Sequence, residues 1–366
     1  MFSSTLYDKT RRRWIAWRNR LLSDPQFQRF AARFWLTRPI ARRKASALFD
    51  LVAGFTYSQV LAACIEIGLL DRLSETPRSS DELAPLIGLP PGPTETLLRA
   101  AAALELAQRI GDDWTLGVQG AALRGNGGIA EMIAHHHLLY ADLADPLALL
   151  RRGGGGGALQ GFWSYAARPG EGREVAPYSA LMAASQPLIA EHVIAAYPFT
   201  RHRRLLDVGG GAGAFLAAVA NRVPSLELGL FDLPGVGALA RDRLGTGVAI
   251  HGGSFLHDPL PTGYDLISLV RVIHDHDDVP ALRILRAAHA ALPPGGRLLI
   301  AEPMAATRGA EAAGDGYFGM YLLAMGSGRP RRLDELGAML REAGFAAWRN
   351  YRTALPLTVR VLAATK

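Results

Sequence analysis

The stretch Leu205-Leu206-Asp207-Val208-Gly209-Gly210-Gly211-Ala212-Gly213 decides the fold of this chain. It reads as an apolar strand that ends in an acid and a run of glycines, and the residues after it predict a helix that begins near Ala214. Glycine takes backbone turns that are closed to residues with a Cβ, and it lets a ligand lie against the main chain. A strand, a glycine loop and a helix in this order predict a nucleoside-binding site.

Two acids define the ligand that this loop suits. The spacing of Gly209, Gly211 and Ala214 also satisfies the loose pattern of dinucleotide-binding enzymes. Asp207 favours another ligand, because an acid at this position accepts a hydrogen bond from an ammonium group but repels a pyrophosphate. The next predicted strand ends in Asp232, which is placed to bind a ribose diol. Together these features predict S-adenosylmethionine rather than NAD; a glycine-rich turn without a ligand is the alternative.

Length and composition indicate a globular protein of two domains. The chain has 366 residues, of which 49% are hydrophobic and 20% charged. Cys64, the single cysteine, lies in an apolar run, which fits a buried thiol in a reducing cytosol. The sequence has no run of eighteen uncharged apolar residues and no signal-peptide core near its start, so we expect a soluble cytoplasmic protein.

The positive charge is concentrated near the N-terminus. The chain carries a formal net charge of +7, and residues 1–44 alone carry +10, from twelve basic and two acidic residues. Trp14, Trp17 and Trp35 are among the aromatic residues interleaved with these charges at helical spacing. Such a basic aromatic segment can lie on the anionic inner surface of a membrane. It can equally pack on the rest of the protein with a solvated basic face, and nucleic acid is a weaker third interpretation.

We predict four segments along the chain. They are a basic aromatic arm (1–50), a winged-helix dimerisation domain (51–150), a glycine loop with connecting helices (151–200) and a cofactor-binding domain (201–366). The winged helix is predicted from three helices followed by two short strands around Gly111. Its candidate recognition helix, residues 94–106, carries only Arg99, which favours a protein partner and no nucleic acid. Five glycines at 153–157 predict a mobile loop.

From residue 204 the pattern alternates between strand and helix. Strands are predicted near residues 205, 226, 248, 265 and 296, which is typical of a doubly wound parallel sheet of the α/β class. The end of the chain differs, because a predicted helix over 332–343 is followed by two consecutive strands, 346–352 and 356–364. These strands predict an antiparallel hairpin at the edge of the sheet.

The catalytic candidates follow the fourth and fifth of these strands, which end in Ile273-His274-Asp275-His276-Asp277-Asp278 and in Glu302. Ligands bind outside the carboxyl ends of parallel strands, and neighbouring strands lie about 4.8 Å apart, so His274 and Glu302 can meet. We predict that His274 is a general base whose imidazole is oriented by the Glu302 carboxylate. Helix capping by the acidic cluster is the alternative. We expect no metal site here or at His135-His136-His137, which we interpret as surface or interface residues.

Five motifs resemble those of the S-adenosylmethionine-dependent O-methyltransferases of the caffeate and bacterial polyketide type. They follow the predicted winged helix in the sequence, as in that family. They are residues 207–213, Phe231-Asp232-Leu233-Pro234, His274-Asp275, Glu302-Pro303 and Ala343-Gly344-Phe345. The resemblance covers residues 50–366 and implies a class I methyltransferase domain, an interlocked homodimer and S-adenosyl-L-methionine as cofactor. It implies His274, Asp275 and Glu302 as catalytic residues. The cofactor-binding residues that it implies are Asp207, Gly209, Gly211, Gly213, Asp232, Leu233, Ser254, Phe255 and Arg271.

Two positions depart from the pattern of that family. Gly253-Ser254-Phe255 stands where many members have Gly-Asp before Phe, which passes the contact with the adenine amine to Ser254 or to main chain. Gly328-Arg329-Pro330-Arg331 stands where many members supply a second acid near the histidine, so the base depends on Glu302 alone.

Within the family, the chain is similar to a subgroup that methylates the tertiary hydroxyl of acyclic carotenoids. The similarity lies in residues 17–22, 36–43, 47–55, 267–272 and 325–331. Candidates for the substrate pocket are Phe162, Trp163, Met182, Tyr317, Met320 and Tyr321. A methyltransferase for a tetrapyrrole or an aromatic polyketide is the alternative enzyme. A non-catalytic regulator that senses the cofactor is the alternative from a different class.

Overall fold

The computed structural model describes residues 2–163 and 176–366, and within them the side chains other than those of residues 2–7, 127 and 176–183. The chain divides into two compact units, Met1–Gly120 and Ala121–Lys366. The division lies before the glycine run at 153–157 rather than at it, because the helices on both sides of that run pack within the second unit.

The first unit is helical with a small sheet. Its elements are α1 (Phe2–Ser23), α2 (Pro25–Arg33), α3 (Arg38–Glu66), α4 (Leu69–Glu75), α5 (Ser80–Ile87), α6 (Pro91–Ala103), β1 (Ala107–Ile110) and β2 (Asp113–Leu116). β1 and β2 pair antiparallel around Gly111, whose φ of 61° suits glycine. The predicted two-stranded wing is confirmed.

Capping chemistry sets the helix boundaries after α4. Ser79 and Glu82 form a capping box, in which each side chain accepts the main-chain N–H of the other residue. The helix expected over 94–106 begins earlier, at Pro91, because proline suits the first turn of a helix. Arg99, the one cation of α6, is paired with Glu95 at 2.7 Å.

The N-terminal helices expose much apolar surface. Trp14, Trp17 and Trp35 are exposed by 54%, 60% and 70%, and Leu51 of α3 by 81%. An 18-residue window of α3 has a mean hydropathy of 1.5 and is 6% buried, so this helix is long and apolar enough to cross a membrane. Our sequence criterion was a run of eighteen consecutive uncharged apolar residues, and α3 does not meet that criterion because it contains charged residues. Exposed apolar patches of this kind mark surfaces that another molecule covers.

The second unit holds a seven-stranded sheet and the remaining helices, of which α7 begins within the last residues of the first unit. The helices are α7 (Val118–Arg124), α8 (Gly127–Asp142), α9 (Pro146–Arg151), α10 (Ala158–Trp163), α11 (Ala176–Ala196), α12 (Ala214–Arg222), α13 (Pro234–Leu244), α14 (Asp278–Ala291), α15 (Gly319–Met325) and α16 (Leu333–Glu342), with a π-helix at Ala312–Phe318. The strands are β3 (Arg204–Val208), β4 (Glu227–Asp232), β5 (Ala249–Gly252), β6 (Leu266–Val270), β7 (Arg297–Glu302), β8 (Ala347–Tyr351) and β9 (Arg360–Thr365).

The strand order is β5-β4-β3-β6-β7-β9-β8. Strands β3 to β7 run parallel, and β9 and β8 form the predicted antiparallel pair at the edge. β6 is buried along its whole length, because the apolar core covers both faces of the sheet. The predicted doubly wound α/β fold is confirmed. The strand order reverses beside β3, where open sheets of this class bind their ligands.

The glycine run at 153–157 is packed, which corrects the predicted mobile loop. The main-chain N–H of Gly155 donates to the C=O of Leu323 in α15 at 2.8 Å, and Nε of Arg152 donates to the C=O of Gly155. A Cβ on Gly157 would collide with the carboxylate of Asp142, which accepts the first N–H groups of α10. Glycine is needed here because the backbone approaches its neighbours closely.

Candidate active site

The glycine loop joins β3 to α12 and is held by an acid from the next strand. Gly209 has a φ of 72°, and a Cβ there would lie 2.9 Å from the Val272 side chain, so conformation and space both require glycine. The Asp232 carboxylate, at the end of β4, accepts the main-chain N–H of Gly211 at 2.8 Å and that of Leu233 at 2.7 Å.

Asp207 is buried, and only one of its two oxygens is satisfied. Oδ1 accepts from the hydroxyl of Ser268 at 2.6 Å, whereas Oδ2 has no partner within the described part of the chain. Burial raises the pKa of this carboxyl to about 7, and the nearby Asp232 adds to the effect. A buried carboxylate oxygen beside a glycine loop calls for a cationic donor, such as the ammonium group of S-adenosylmethionine. Asp207 therefore fits the predicted cofactor.

Asp232 retains acceptor capacity for the ribose. Each of its oxygens accepts one main-chain N–H, which leaves each a lone pair for one hydroxyl of a diol. Gly213, with a φ of 74°, is the residue that precedes α12. The ring of Phe255 lies 5.4 Å from that of His276 and would touch a Cβ on Gly209. These predicted cofactor residues lie at one end of the parallel strands.

Ser254 and Arg271 each have contacts that sequence reasoning missed. The main-chain N–H of Ser254 donates to Oδ2 of Asp258 at 2.8 Å, so this acid closes the turn after β5. Arg271, at the end of β6, donates from Nη1 to the hydroxyl of Ser185 in α11 at 2.8 Å. Its φ of 59° is in the left-handed region, and such strain in a non-glycine residue is typical of functional sites.

His274 lies on a 3₁₀ turn, Ile273–Asp275, directly after β6. Its side chain is 5% exposed, and Nε2 lies 3.2 Å from Oδ1 of Asp275. Nδ1 has no hydrogen-bond partner among the described residues. The carboxylate beside Nε2 favours the tautomer with its proton on that nitrogen, which leaves the Nδ1 lone pair to accept a proton.

The Glu302 carboxylate does not contact the imidazole, which corrects the predicted pairing. Its Oε2 accepts the main-chain N–H of His274 at 3.0 Å, and Oε1 has no partner in the residues that the structure describes. Burial raises the pKa of Glu302 to about 8. Glu302 thus positions the turn that carries His274, and Asp275 is the acid beside the ring.

A buried arginine, absent from our sequence predictions, holds the same turn. The Arg331 side chain is fully buried; Nη1 donates to the C=O of Ile273 at 2.8 Å and Nη2 to the C=O of His276 at 2.7 Å. Nε and Nη2 also donate to Oδ1 of Asp278. The guanidinium therefore fixes the main chain on both sides of His274. The neighbouring Pro330 supplies no second acid, as expected.

The imidazole is neutral over a wide pH range. Burial and, to a smaller extent, the charges of Arg271 and Arg331 lower the pKa of His274 to about 3. Burial raises the pKa of Asp275 to about 7, and Arg271 opposes this rise. The imidazole of His274 is thus uncharged at physiological pH. Among residues 2–163 and 176–366, no group of three His, Cys, Asp or Glu side chains could hold a metal ion.

An aromatic cluster lies beside His274. The Phe318 ring is 6.2 Å from the imidazole and 5.0 Å from the Tyr317 ring, which lies 5.9 Å from that of Tyr321. Nε1 of Trp163 donates to the Tyr321 hydroxyl at 3.3 Å. The structure therefore brings predicted pocket residues from distant parts of the second unit to the side of the proposed base.

The other members of the cluster come from α8, α10 and α15. The Phe162 ring lies 4.6 Å from that of His135, and His136 lies 5.6 Å from Tyr317. His135 is buried and His136 half-buried, so the interpretation of this run as surface or interface residues is wrong for His135, whereas His137 is exposed. Met320 packs against the same hydrophobic cluster. The side chain of Met182, the remaining pocket prediction, lies outside the described residues.

The fold and the site define a methyltransferase of the S-adenosylmethionine-dependent class, with a separate helical unit before it. Residues 140–346 match the family model of an O-methyltransferase domain, and residues 49–117 match that of an O-methyltransferase dimerisation domain. The chain belongs to the O-methyltransferase family. It is an S-adenosylmethionine-dependent O-methyltransferase, and its dimerisation domain makes it a homodimer.

Two curated relatives match nearly the whole chain. The demethylspheroidene O-methyltransferase of Cereibacter sphaeroides is 41% identical over 356 residues, which are 95% of this chain and 94% of the relative. The protein of the same name from Rhodobacter capsulatus is 42% identical over 334 residues, 90% of this chain and 84% of the relative. These alignments extend beyond both family domains into the N-terminal arm.

Solved structures share the fold. Human N-acetylserotonin methyltransferase, in complex with SAM, has a TM-score of 0.74 at 22% identity and covers 88% of this chain and 97% of its own. CalO1, a methyltransferase in calicheamicin biosynthesis in its SAH-bound form, has a TM-score of 0.73 at 25% identity, with coverages of 88% and 98%. The predicted class I fold is confirmed.

Proposed function

We propose that this enzyme methylates the tertiary hydroxyl of an acyclic carotenoid of the demethylspheroidene type. The observation that carries the proposal is the identity of 41–42%, over nine-tenths or more of the chain, to two proteins named demethylspheroidene O-methyltransferase. The aromatic cluster beside His274 supports it, because aromatic faces suit a conjugated, apolar substrate. The regulator alternative draws no support from α6, whose single cation is already paired.

The residues of the site divide the work of the reaction. S-adenosylmethionine, when bound, would supply an electrophilic methyl group for the substrate oxygen. Asp207 would hold its ammonium group and Asp232 its ribose, so that the reactants are positioned before any bond changes. Positioning contributes roughly 7 to 11 kcal/mol to such reactions, whereas a general base contributes about 10² to 10⁴ in rate. Geometry is therefore the larger effect.

His274 receives the proton of the substrate hydroxyl at Nδ1. A tertiary alcohol is too weak an acid to ionise beforehand, so the proton moves late, as the C–O bond forms. Asp275 then stabilises the imidazolium, since its Oδ1 lies 3.2 Å from Nε2. Glu302 and Arg331 keep the turn in place through its main chain.

A transfer assay tests the proposal. Purified protein is incubated with methyl-labelled S-adenosylmethionine and, in parallel, with a hydroxylated acyclic carotenoid, an aromatic polyketide phenol and a tetrapyrrole carboxylic acid. We expect label in the carotenoid. Label in either of the other acceptors alone identifies the alternative enzyme, and failure of the protein to bind S-adenosylmethionine or S-adenosylhomocysteine in calorimetry overturns both.

The arm is part of this function because a carotenoid is dissolved in lipid. Residues 1–44 carry +10, and Trp14, Trp17 and Trp35 are more than half exposed. The arm lies on the anionic inner surface of a membrane, where basic and tryptophan side chains both bind, and delivers a cytoplasmic enzyme to its substrate.

A further inference from the structure

The aromatic cluster contains polar pairs that the reaction does not use. Nε2 of His135 lies 3.1 Å from the Tyr321 hydroxyl, and Nε2 of His136 lies 2.6 Å from the Tyr317 hydroxyl. Trp163 donates to the same Tyr321 oxygen at 3.3 Å. These contacts join α8 and α10 to the π-helix and α15, so the polar groups of one element are satisfied by those of another.

All four members of the two histidine–tyrosine pairs are uncharged at neutral pH. Burial lowers the pKa of His135 to about 4, and the neighbouring histidines add to this effect. Burial also lowers the pKa of His136 and raises the pKa of Tyr321 to about 12. The rings of the two pairs therefore carry no net charge, and their hydrogen-bonding groups face each other.

The pairs are continuous with the proposed base. Tyr317 and Phe318 end the π-helix, and the Phe318 ring lies 5.0 Å from that of Tyr317 and 6.2 Å from the imidazole of His274. A π-helix is rare and is frequently found at functional sites. Here it places two consecutive aromatic rings along one path from the base to the pairs.

We infer that the His135–Tyr321 and His136–Tyr317 pairs make the acceptor site selective for a substrate with an apolar, unsaturated chain. They do so because the polar atoms of these side chains, which line the site, are hydrogen-bonded to each other. This inference rests on the proposed function and explains how the acceptor site selects among hydroxylated carotenoids. A polyene stacks on the rings at no polar cost. A polar substituent loses its water and meets groups that are already paired, so it binds worse.

Two acceptors with the same tertiary hydroxyl test this, one with a hydrocarbon polyene and one with a keto group on that polyene. Tyr321→Phe keeps the ring but removes the hydroxyl that pairs with Nε2 of His135. We expect the ratio of kcat/KM values, hydrocarbon over keto, to fall about tenfold, because an orphaned buried polar group is costly and the keto oxygen can satisfy it. The fall should come from KM, with kcat within about twofold, since Tyr321 does not touch the reacting atoms.

Matched variants keep the test decisive. Tyr351→Phe, on the edge strand β8 against Tyr197, should leave the ratio unchanged, and His135→Gln, which keeps a polar partner for Tyr321, should preserve most of it. Cofactor affinity measured by calorimetry verifies that each variant is folded. An unchanged ratio in both Tyr321→Phe and Tyr317→Phe overturns the inference and leaves the proposed function standing. A wild-type enzyme that is inert toward both acceptors overturns the proposed function, and the inference with it.

Discussion

Glu302 accepts the main-chain N–H of His274 at 3.0 Å, and it leaves the imidazole of that residue to Asp275. The two acids therefore have separate tasks. Glu302 positions the backbone of the 3₁₀ turn, and Asp275 faces the nitrogen that keeps its proton. This division determines how the variants at these positions differ.

Replacement of His274 by alanine removes the proton acceptor without disturbing the cofactor loop. We expect turnover to fall by about 10² to 10⁴, the usual worth of a general base, with cofactor affinity unchanged. Single-turnover kinetics and calorimetry measure the two quantities. His289→Ala, on α14 against Phe345, is the control and should retain activity. Unchanged turnover in His274→Ala removes the residue from the mechanism.

Glu302→Gln and Asp275→Asn should separate positioning from charge stabilisation. Glutamine still accepts the His274 N–H, so we expect a change in kcat of less than about tenfold. Because burial raises the pKa of Asp275 to about 7, its carboxylate forms as the pH rises through that value, and the rate should rise with it. Asp275→Asn should lower the rate and abolish this limb of the pH profile. If the rising limb of the pH profile disappears in Glu302→Gln and persists in Asp275→Asn, then Glu302 is the acid that orients the ring.

Cofactor binding should release a proton from Asp207. Its pKa is about 7 in the free protein, so the carboxyl is partly protonated at pH 6.5. An ammonium group at Oδ2 favours the carboxylate and lowers that pKa, so a proton leaves and the affinity rises as the pH approaches 7. Calorimetry in buffers of different ionisation enthalpy measures the release. Asp207→Asn should abolish it and the exposed Asp334→Asn should not; proton uptake by the wild type would contradict the assignment.

Arg331→Met should destabilise the fold as well as the active site. The carbonyls of Ile273 and His276 lose their donors in a buried place, which costs about 3 kcal/mol of unfolding free energy. Urea denaturation measures the loss. Arg332→Met, which removes an exposed and solvent-screened pair with Asp334, should leave the free energy of unfolding nearly unchanged. Equal effects of the two substitutions would show that the clamp around His274 adds nothing.

The arm should bind anionic lipid through both charge and tryptophan. Replacing Trp14, Trp17 and Trp35 with alanine removes apolar insertion but keeps every charge, so binding to phosphatidylglycerol vesicles should weaken and the salt dependence should remain. Vesicle sedimentation measures it, with Trp114→Phe, whose ring is buried in the wing, as control. Undiminished binding of the triple variant would refute insertion by the arm.

Local patterns in the sequence were sufficient to predict most elements. The run from Leu205 to Gly213 and the wing around Gly111 are each decided by residues close together in the chain. Parallel strands also meet at one edge by topology, so the grouping of Asp207, Asp232 and His274 could be predicted. The glycine run at 153–157 was misjudged because a long-range contact with Leu323 orders it.

The sequence alone therefore determined the alternation of strand and helix, the cofactor loop and the position of His274 at a strand end, because backbone propensity and strand-end topology are short-range or general rules. Only the tertiary structure decided that Arg331 holds the turn of His274, that Glu302 meets its main chain, and that His135 and His136 pair with Tyr321 and Tyr317. Those contacts join residues 28 to 186 positions apart. Their direction depends on side-chain packing between elements, which no local spacing records.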